Sequence, residues 1–244
     1  MEYILYVVAT ILILPGLIYG VYAQINVSKT FNAFSTMENK SGKTGAEIAR
    51  IMLDNAGLNE VKIQGINGKL TDNYNPKTKT LSLSESTFAS SSVAAIGVAA
   101  HEVGHAIQHK EGYKPLKIRS ALVPIVNIAS TMFWPLFVVG IVLMFVSKAC
   151  APAGEIIVWV SVAFYGSSTL FYLITLPVEF DASKRAINIL SNGLVEQDEV
   201  PYARKVLKAA AQTYISALVT SAIYFLRFFF YVLMILGNGK SSKK

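Results

Sequence analysis

The sequence is poor in charged residues and has almost no cysteine or histidine. Only 15% of its 244 residues are charged and 53% are apolar, whereas soluble globular domains average about 25% charged and about 45 to 50% apolar residues. The single cysteine, Cys150, excludes an intramolecular disulfide. The three histidines lie between positions 101 and 109, so any histidine-rich metal site must be local. This composition excludes a large multidomain soluble enzyme and indicates a membrane protein.

The formal net charge of +7 does not indicate a nucleic-acid-binding protein. The lysines and arginines are not gathered in a compact basic module with interleaved aromatic residues. Several instead precede an apolar run, as Lys114, Lys117 and Arg119 do, and basic residues commonly flank the cytoplasmic ends of membrane spans. We therefore expect no nucleic-acid partner and interpret the charge as a signal of membrane topology.

Four apolar runs are long enough to predict transmembrane helices, since a helix needs about 20 apolar residues to cross the hydrocarbon core. They comprise residues 3–23, 121–147, 156–176 and 214–236. The alternative for the first run is a cleaved signal peptide, but Met1 and Glu2 provide no basic segment and the run is long for such a peptide. The fourth run contains Arg227, so its alternative is a helix lying partly in the membrane interface.

The short connection at 148–155 makes the second and third runs a predicted transmembrane hairpin. Two adjacent spans return the chain to the side from which it entered, so the segments before and after the hairpin are expected to face the same compartment. The predicted organisation is an N-terminal span (1–23), an α+β unit (24–120), the hairpin (121–176), a helical segment (177–213), a C-terminal span (214–236) and a basic tail (237–244).

Two helices are predicted in the polar segment between the first and second runs. Thr44 and Glu47 have the S/T-x-x-E spacing of a capping box, and Gly57 follows an apolar pattern, which predicts a helix at 45–56. The chain is predicted to be helical again at about 92–111, with Gly112 suited to end this helix.

Strands are predicted between these two helices. Residues 61–64 favour a short strand, and the alternation of polar and apolar residues at 80–84 favours another. Residues 73–77 have the composition of a turn. We expect a hairpin whose strand at 80–84 is an edge strand able to hold an extended peptide substrate by backbone pairing.

The second helix contains an H-E-x-x-H motif at His101, Glu102 and His105. Positions four residues apart lie on one helix face, so the two imidazoles can bind the same ion. Two neutral imidazoles bind Zn²⁺ and leave a position open, and Glu102 is placed to act as general base toward a water whose pKa the ion lowers to about 7. The alternative is a surface helix with a solvated glutamate and histidines.

A catalytic zinc usually takes three protein ligands, so a third must be found. His109 lies one further turn along a straight helix and recedes from the ion, so we expect it at an interface or near the ligands. Glu179 follows the third run, and the hairpin returns it to the side of the histidines. Pro177 predicts a helix start here, and the alternative role of Glu179 and Asp181 is to favour that helix's dipole. Glu179 is the expected third ligand.

Four segments together resemble the YugP-like membrane zinc metallopeptidases over nearly the whole chain. They are 99–109 (AAHEVGHAIQH), 70–72 (LTD), 81–85 (LSLSE) and 177–183 (PVEFDAS). The resemblance implies a bacterial membrane zinc peptidase, more distantly similar to HtpX-like proteases, with an H-E-x-x-H helix, a membrane hairpin and a following glutamate in this order. HtpX-like enzymes have E-x-x-x-D at the glutamate, whereas the residue four positions after Glu179 is Ser183 here. Either Asp181 or Ser183 is therefore expected to orient a histidine ligand.

The combined prediction is a mainly α membrane protein with about four transmembrane helices and a small α+β zincin-like metallopeptidase unit. Its predicted function is a gluzincin-type membrane endopeptidase that binds one Zn²⁺ per chain through His101, His105 and Glu179, with Glu102 as base. Expected partners are a peptide or protein substrate, including membrane proteins, and the lipid bilayer. The alternatives are a non-catalytic scaffold or adaptor with a structural or decayed zinc site, and a small transporter, for which only Arg227 is a suitable residue within the spans.

Basic residues near the span ends predict a multi-pass protein of the cell membrane with a cytoplasmic active site. Ten lie on the zinc side, namely Lys29, Lys110, Lys114, Lys117, Arg119, Lys184, Arg185, Arg204, Lys205 and Lys208, and four on the other, namely Lys148, Lys240, Lys243 and Lys244. The group that stabilises the oxyanion is left open among Tyr74, Arg185, Tyr202 and the metal itself.

Overall fold

The computed structural model describes residues 1–241, with side chains as far as residue 237. In chain order the elements are α1 (Glu2–Ser35), α2 (Gly45–Asn55), β1 (Lys62–Ile66), β2 (Asn73–Asn75), β3 (Thr80–Ser84), α3 (Glu85–Phe88), α4 (Val93–Lys110), α5 (Lys114–Val146), α6 (Ala151–Ile189), a π-helical turn (Leu190–Leu194) and α7 (Val200–Ser241). Apart from Gly237, the predicted basic tail at 237–244 lies outside the described side chains, and its last three residues lie outside the described chain.

Four helices, α1, α5, α6 and α7, are long and apolar enough to cross a membrane. In the most apolar stretch of each, no more than 17% of the residues are buried inside the protein. Large apolar surfaces left exposed in this way are unfavourable in water and favourable against lipid. The predicted fold class, a mainly α membrane protein with a small sheet, is therefore confirmed.

The chain folds as two compact units. The first comprises Met1–Val21, Ile118–Thr175 and the chain from Ile215 onward, and the second comprises Tyr22–Lys117 and Leu176–Tyr214. All the candidate metal-binding and catalytic residues belong to the second unit, so its architecture decides the geometry of the site.

The core of the second unit is formed mainly by α2, β3 and α4, with contributions from residues near the end of α6 and the start of α7. Its fully buried apolar side chains include Ile48, Leu53, Leu81, Leu83, Val103, Ala186 and Leu190. Each large side chain of this kind stabilises the folded state by about 1.5 to 3 kcal/mol when it leaves water. The packing holds α4, which carries the H-E-x-x-H motif, at the centre of the unit.

Both helices predicted in this unit are present. Thr44 and Glu47 form the reciprocal hydrogen bonds of a capping box at the start of α2, and the Ser92 side chain caps α4. Gly57 and Gly112, which follow the two helices, have φ angles of 64° and 67°. This left-handed conformation after a helix strongly favours glycine, so the sequence itself determines where both helices end.

The sheet differs from the predicted hairpin. β1 is parallel to β3, and β2, which forms within the segment predicted as a turn, is antiparallel to β3. The hairpin therefore joins β2 and β3 through a turn at 76–79. The predicted turn residues at 73–75 form a strand because they pair with β3.

The central position of β3 contradicts the expected role of this strand as a substrate-binding edge. The strand order is β1-β3-β2. β1 pairs with β3 from Thr80 to Ser84, and β2 pairs with it from Thr80 to Ser82. Beyond β2, the Ser84 amide donates a hydrogen bond of 2.8 Å to the Asp72 carboxylate. The expectation that this strand holds a peptide by backbone pairing is wrong, because its backbone groups already have partners.

The helix α6 continues through Pro177, where the sequence predicts a helix start. Glu179 and Asp181 therefore lie in the body of a helix, and the alternative that they interact with a helix N-terminus is wrong. The helix extends beyond the apolar run because it still has one apolar face to bury. Residues at four-residue intervals along that face are fully buried, namely Val178, Ala182 and Ala186.

Aromatic and small residues hold the first unit together. Its buried core contains Phe137, Val158, Val162, Val232 and Leu236. A Cβ atom built on Gly140 would lie 2.9 Å from the Gly154 carbonyl oxygen, a backbone approach typical of small residues between membrane helices.

Arg227 donates hydrogen bonds of 3.2 Å to the Tyr6 hydroxyl and 3.3 Å to the Thr10 hydroxyl. The charge within the fourth apolar run is thus bound by side chains of α1.

Candidate functional site

The H-E-x-x-H motif forms a compact group of candidate ligand atoms on α4. The ligand atoms of His101, Glu102 and His105 all lie within 4.8 Å of one another. The two imidazole rings meet edge to face with their centroids 4.8 Å apart. Glu102 and His105 are each 8% exposed. This burial excludes the alternative of a surface helix whose polar side chains are merely solvated.

A close crossing of α4 and α6 brings a third donor to the histidines. A Cβ atom built on Gly104 would lie 2.5 Å from the Ala182 carbonyl oxygen, so only glycine allows the two backbones to approach this closely. Glu179 lies one turn before Ala182 on α6 and is 2% exposed. Its Oε2 is 3.1 Å from His101 Nε2 and 3.5 Å from His105 Nε2.

The donor atoms of His101, His105 and Glu179 fit a zinc ion. Zinc binds imidazole nitrogens and carboxylate oxygens at about 2.0 to 2.2 Å in tetrahedral geometry, which separates two ligand atoms by about 3.3 to 3.6 Å. The separations of 3.1 and 3.5 Å from the carboxylate oxygen to the two nitrogens are close to this spacing. The chemistry and the arrangement of the three side chains therefore both suit zinc.

The other ring nitrogen of each histidine has its own hydrogen-bond partner. His101 Nδ1 is 3.1 Å from Ser183 Oγ, and His105 Nδ1 is 3.0 Å from Gln108 Oε1. The Gln108 amide donates to the Asp181 carboxylate and to a backbone carbonyl, so its oxygen is the atom that accepts from His105. The neutral form of His105 consequently carries its proton on Nδ1, which leaves the Nε2 lone pair for an ion.

Ser183 and Asp181 act on different histidines by different routes. Ser183 contacts one imidazole directly, while Asp181 reaches the other through the Gln108 amide. Arg185 donates to Asp181 and also to Glu111, the latter at 2.6 Å. The sequence left open whether Ser183 or Asp181 orients a histidine ligand, and the structure connects both side chains to a histidine. Sequence reasoning missed Gln108, although its position three residues after a histidine places it on the same helix face.

His109 lies at a contact between α4 and the sheet. Its Nδ1 is 2.9 Å from the hydroxyl of Tyr74 on β2, and the two rings have centroids 5.9 Å apart. The structure therefore places His109 at an interface within the second unit and joins it to Tyr74 instead of to the ligand group.

The buried environment changes the pKa values of Glu102 and His105 on α4. Removal from water raises the pKa of the Glu102 carboxyl above its ordinary value, although the nearby imidazoles oppose this shift. For His105, burial lowers the pKa, but the hydrogen bond to Glu179 and the charge of Glu102 together raise it above its ordinary value. A carboxylate whose conjugate acid has a raised pKa is a stronger base than an ordinary carboxylate, which suits it to take up a proton.

A cavity of about 240 Å³ lies beside Glu102 and His101. Its other lining residues are Gln24, Val27, Leu70, Asp72, Val98, Leu207, Ala210, Thr213 and Tyr214. The mixture of apolar walls and a few polar groups is typical of a small-molecule or peptide-binding cleft. The predicted base and one predicted ligand therefore line the same cavity.

The side chains considered as oxyanion donors have partners elsewhere. Tyr74 bonds to His109, Arg185 bonds to two carboxylates, and the Tyr202 ring packs 5.3 Å from the Phe34 ring. Tyr214 is the tyrosine that lines the cavity beside Glu102. No sequence pattern distinguishes it among the twelve tyrosines.

Comparison with known proteins identifies the family. Residues 9–233 match the sequence model of a family described as "Putative neutral zinc metallopeptidase". The chain is also 40% identical over 220 residues to a protein of Bacillus subtilis (strain 168) described as "Putative membrane protease YugP", and the match covers 90% of this chain and 92% of that protein. No solved structure matches the chain. The residues that match the family model include the whole candidate metal site, and the chain therefore belongs to the family described as "Putative neutral zinc metallopeptidase".

Proposed function

We propose that the protein is an integral membrane zinc-dependent endopeptidase of gluzincin type. His101, His105 and Glu179 would hold one Zn²⁺ per chain, and Glu102 would act as general base. The observation that carries the proposal is the convergence of two imidazole nitrogens on one carboxylate oxygen at 3.1 and 3.5 Å. A bound zinc ion supplies a Lewis acid that polarises a peptide carbonyl and lowers the pKa of water.

Glu102 carries the proton in both steps of the proposed reaction. As a carboxylate it accepts a proton from the water that attacks the peptide carbonyl carbon. As a carboxylic acid it then gives this proton to the amine nitrogen that leaves when the peptide bond breaks. The raised pKa of the buried carboxyl favours its protonated form between the two steps, and release of the proton restores the starting state.

The surroundings of the site favour catalysis over a structural role for zinc. A structural zinc site closes with four protein ligands, whereas a catalytic site keeps one position open. Within residues 1–241, three donors fit the ion, and a fourth side chain, Glu102, lines the adjacent cavity of about 240 Å³. This arrangement supports an enzyme over the alternative of a non-catalytic scaffold or adaptor.

We further propose that the protein crosses the bacterial cell membrane several times and cleaves peptides or proteins, membrane proteins among them, on the cytoplasmic side. Four helices are long and apolar enough to span. The excess of ten basic residues over four on the side of the site supports the orientation.

The variant Glu102→Gln separates catalysis from metal binding. Because Glu102 is assigned as base and not as ligand, we expect about one zinc per purified chain and a loss of cleavage of roughly 10²- to 10⁴-fold. Elemental analysis measures the zinc, and a proteomic comparison of cells carrying the wild type or the variant measures the cleavage. Loss of zinc would assign Glu102 as a ligand, and unchanged cleavage would remove it from the mechanism. Zinc bound to both proteins, with no substrate accumulating in the variant, would support a scaffold.

A further inference from the structure

A second, larger cavity in the second unit shares no residue with the candidate metal site. It measures about 360 Å³ and lies between residues 26–34 of α1 and residues 205–212 of α7. Three lysines line it, Lys29 from α1 and Lys205 and Lys208 from α7. The assigned chemistry uses none of these residues, so the cavity requires an explanation of its own.

The cavity is strongly cationic. None of its lining residues is an aspartate or glutamate. Within the part of the chain that the structure describes, no carboxylate forms an ion pair with these lysines. Lys205 and Lys208 are three residues apart and share a helix face. Three neighbouring ammonium groups repel one another, and an anion bound among them would relieve that repulsion.

The walls of the cavity are positioned by contacts between the two helices. Asn26 Nδ2 donates a hydrogen bond of 2.8 Å to Gln212 Oε1, which links α1 to α7 at one end. At the other end the Lys205 ammonium lies 6.0 Å from the centre of the Phe34 ring and 5.6 Å from that of the Tyr202 ring. These cation–π contacts keep the lysine at the cavity without neutralising its charge.

Two of the three lysines, Lys29 and Lys208, lie on their helices close to the headgroup layer of a bilayer. Lys29 follows the end of the first apolar run, at Ala23, by six residues, and Lys208 precedes the start of the fourth, at Tyr214, by six. At 1.5 Å per residue each lies about 9 Å beyond the apolar segment. The interfacial layer is about 5 to 8 Å thick on each side of the hydrocarbon, and lysine side chains readily extend back toward it.

We propose that this cavity binds the phosphate headgroup of an anionic phospholipid. Charge complementarity selects the ligand, because the lining holds three lysines and no acidic residue. Two of these lysines, Lys29 and Lys208, lie close enough to the apolar segments for their side chains to reach a lipid phosphate. The apolar parts of the lining, which include Phe34 and Ala209, suit the glycerol and upper acyl carbons of the same molecule. The inference depends on α1 and α7 crossing the membrane and not on the zinc chemistry.

Native mass spectrometry of the full-length protein in detergent tests the proposal. The probes are phosphatidylglycerol, phosphatidylcholine and inorganic phosphate, each titrated separately. The cavity variant is Lys29→Gln/Lys208→Gln, and the matched control is Lys114→Gln/Lys117→Gln, which removes equal charge from exposed lysines that also precede a predicted span. All four side chains are exposed, so both variants should fold, which circular dichroism checks.

We expect the wild type and the control to bind one phosphatidylglycerol in preference to phosphatidylcholine. The cavity variant should bind phosphatidylglycerol roughly 30-fold more weakly, from about 5-fold per lysine near an anionic surface. Equal weakening in the cavity and control variants would overturn the proposal, because surface charge alone would then explain binding. Binding of inorganic phosphate with no preference for the anionic lipid would also overturn it and assign the cavity to a free anion.

Discussion

At the scale of single residues, the hydrogen bonds to the Nδ1 atoms of His101 and His105 determine how these two candidate ligands are oriented. Gln108 is fully buried and accepts from His105 while it donates to two acceptors on α6. In the neutral imidazole of His105 this arrangement places the proton on Nδ1. A metal site that lacks such a partner keeps its ligands but loses their orientation.

Replacement of this partner should weaken zinc binding without removing a ligand. We expect Gln108→Ala to lower the zinc affinity by roughly 10- to 100-fold, the usual effect of losing a hydrogen bond that orients a histidine ligand. Competition with a chelating dye measures the affinity. Gln197→Ala is the control, because that amide donates to a backbone carbonyl outside the site. Equal zinc affinity in Gln108→Ala and the wild type would show that this bond does not orient the ligand.

The sequence predicted which side chains converge better than it predicted what orients them. His101, Glu102 and His105 belong to one local motif. Glu179 follows two adjacent apolar runs, which return the chain to the side of the histidines. The four residues could therefore be selected from the sequence. Their roles stay predictions. The partners of the far ring nitrogens depend on the crossing of α4 and α6, which no local pattern specifies.

At the scale of the elements, that crossing of α4 and α6 assembles the site. The close approach at Gly104 has no room for a Cβ atom, which would lie 2.5 Å from the Ala182 carbonyl oxygen. By contrast, a Cβ atom on Gly97, also on α4, would make ordinary contacts of 3.5 Å with Ala203. The two glycines therefore differ in their tolerance of a methyl group.

Gly104→Ala should separate the two helices and disrupt the zinc site. The added methyl group forces the backbone of α6 to move and carries Glu179 and Ser183 away from the histidines, so we expect a much lower zinc affinity and a lower melting temperature. Gly97→Ala should keep zinc binding and gain up to about 1 kcal/mol of stability from the better helix propensity of alanine. Calorimetric zinc titration and thermal melts check both variants, and similar behaviour of the two would contradict the close crossing.

The ends of the helices were predictable where residues next to each end specify it. The capping box of α2 and the glycines after α2 and α4 fixed helix ends that the structure confirms. The predicted helix start at Pro177 was wrong, because the buried face continues through the proline and outweighs the single hydrogen bond that it removes. The predicted hairpin was wrong because β1 and β3 pair in parallel and are separated by β2 in the chain. The residue pattern of a strand does not specify which other strand it pairs with.

At the scale of the whole molecule, the apolar runs determine both the fold class and the proposed topology. The proposed cytoplasmic orientation of the site can be tested in a Cys150→Ala background. Single cysteines are introduced by Lys77→Cys in the second unit and by Pro152→Cys at the start of α6, where both native side chains are exposed. We expect an impermeant thiol reagent to label intact cells at position 152 and not at 77. The reverse labelling would place the site outside the cell and revive the signal-peptide or inverted topology.

The most direct measurement of the central claim is calorimetric zinc titration of Glu179→Ala beside His109→Ala and Asp181→Ala. If His101, His105 and Glu179 are the ligands, the wild type and His109→Ala bind about one zinc per chain with similar affinity. Asp181→Ala, which disturbs only the Gln108 contact and Arg185, should bind zinc more weakly than these two, while Glu179→Ala should lose most of its zinc affinity. Retention of zinc by Glu179→Ala together with its loss from His109→Ala would contradict the assignment of the third ligand and, with it, the gluzincin mechanism.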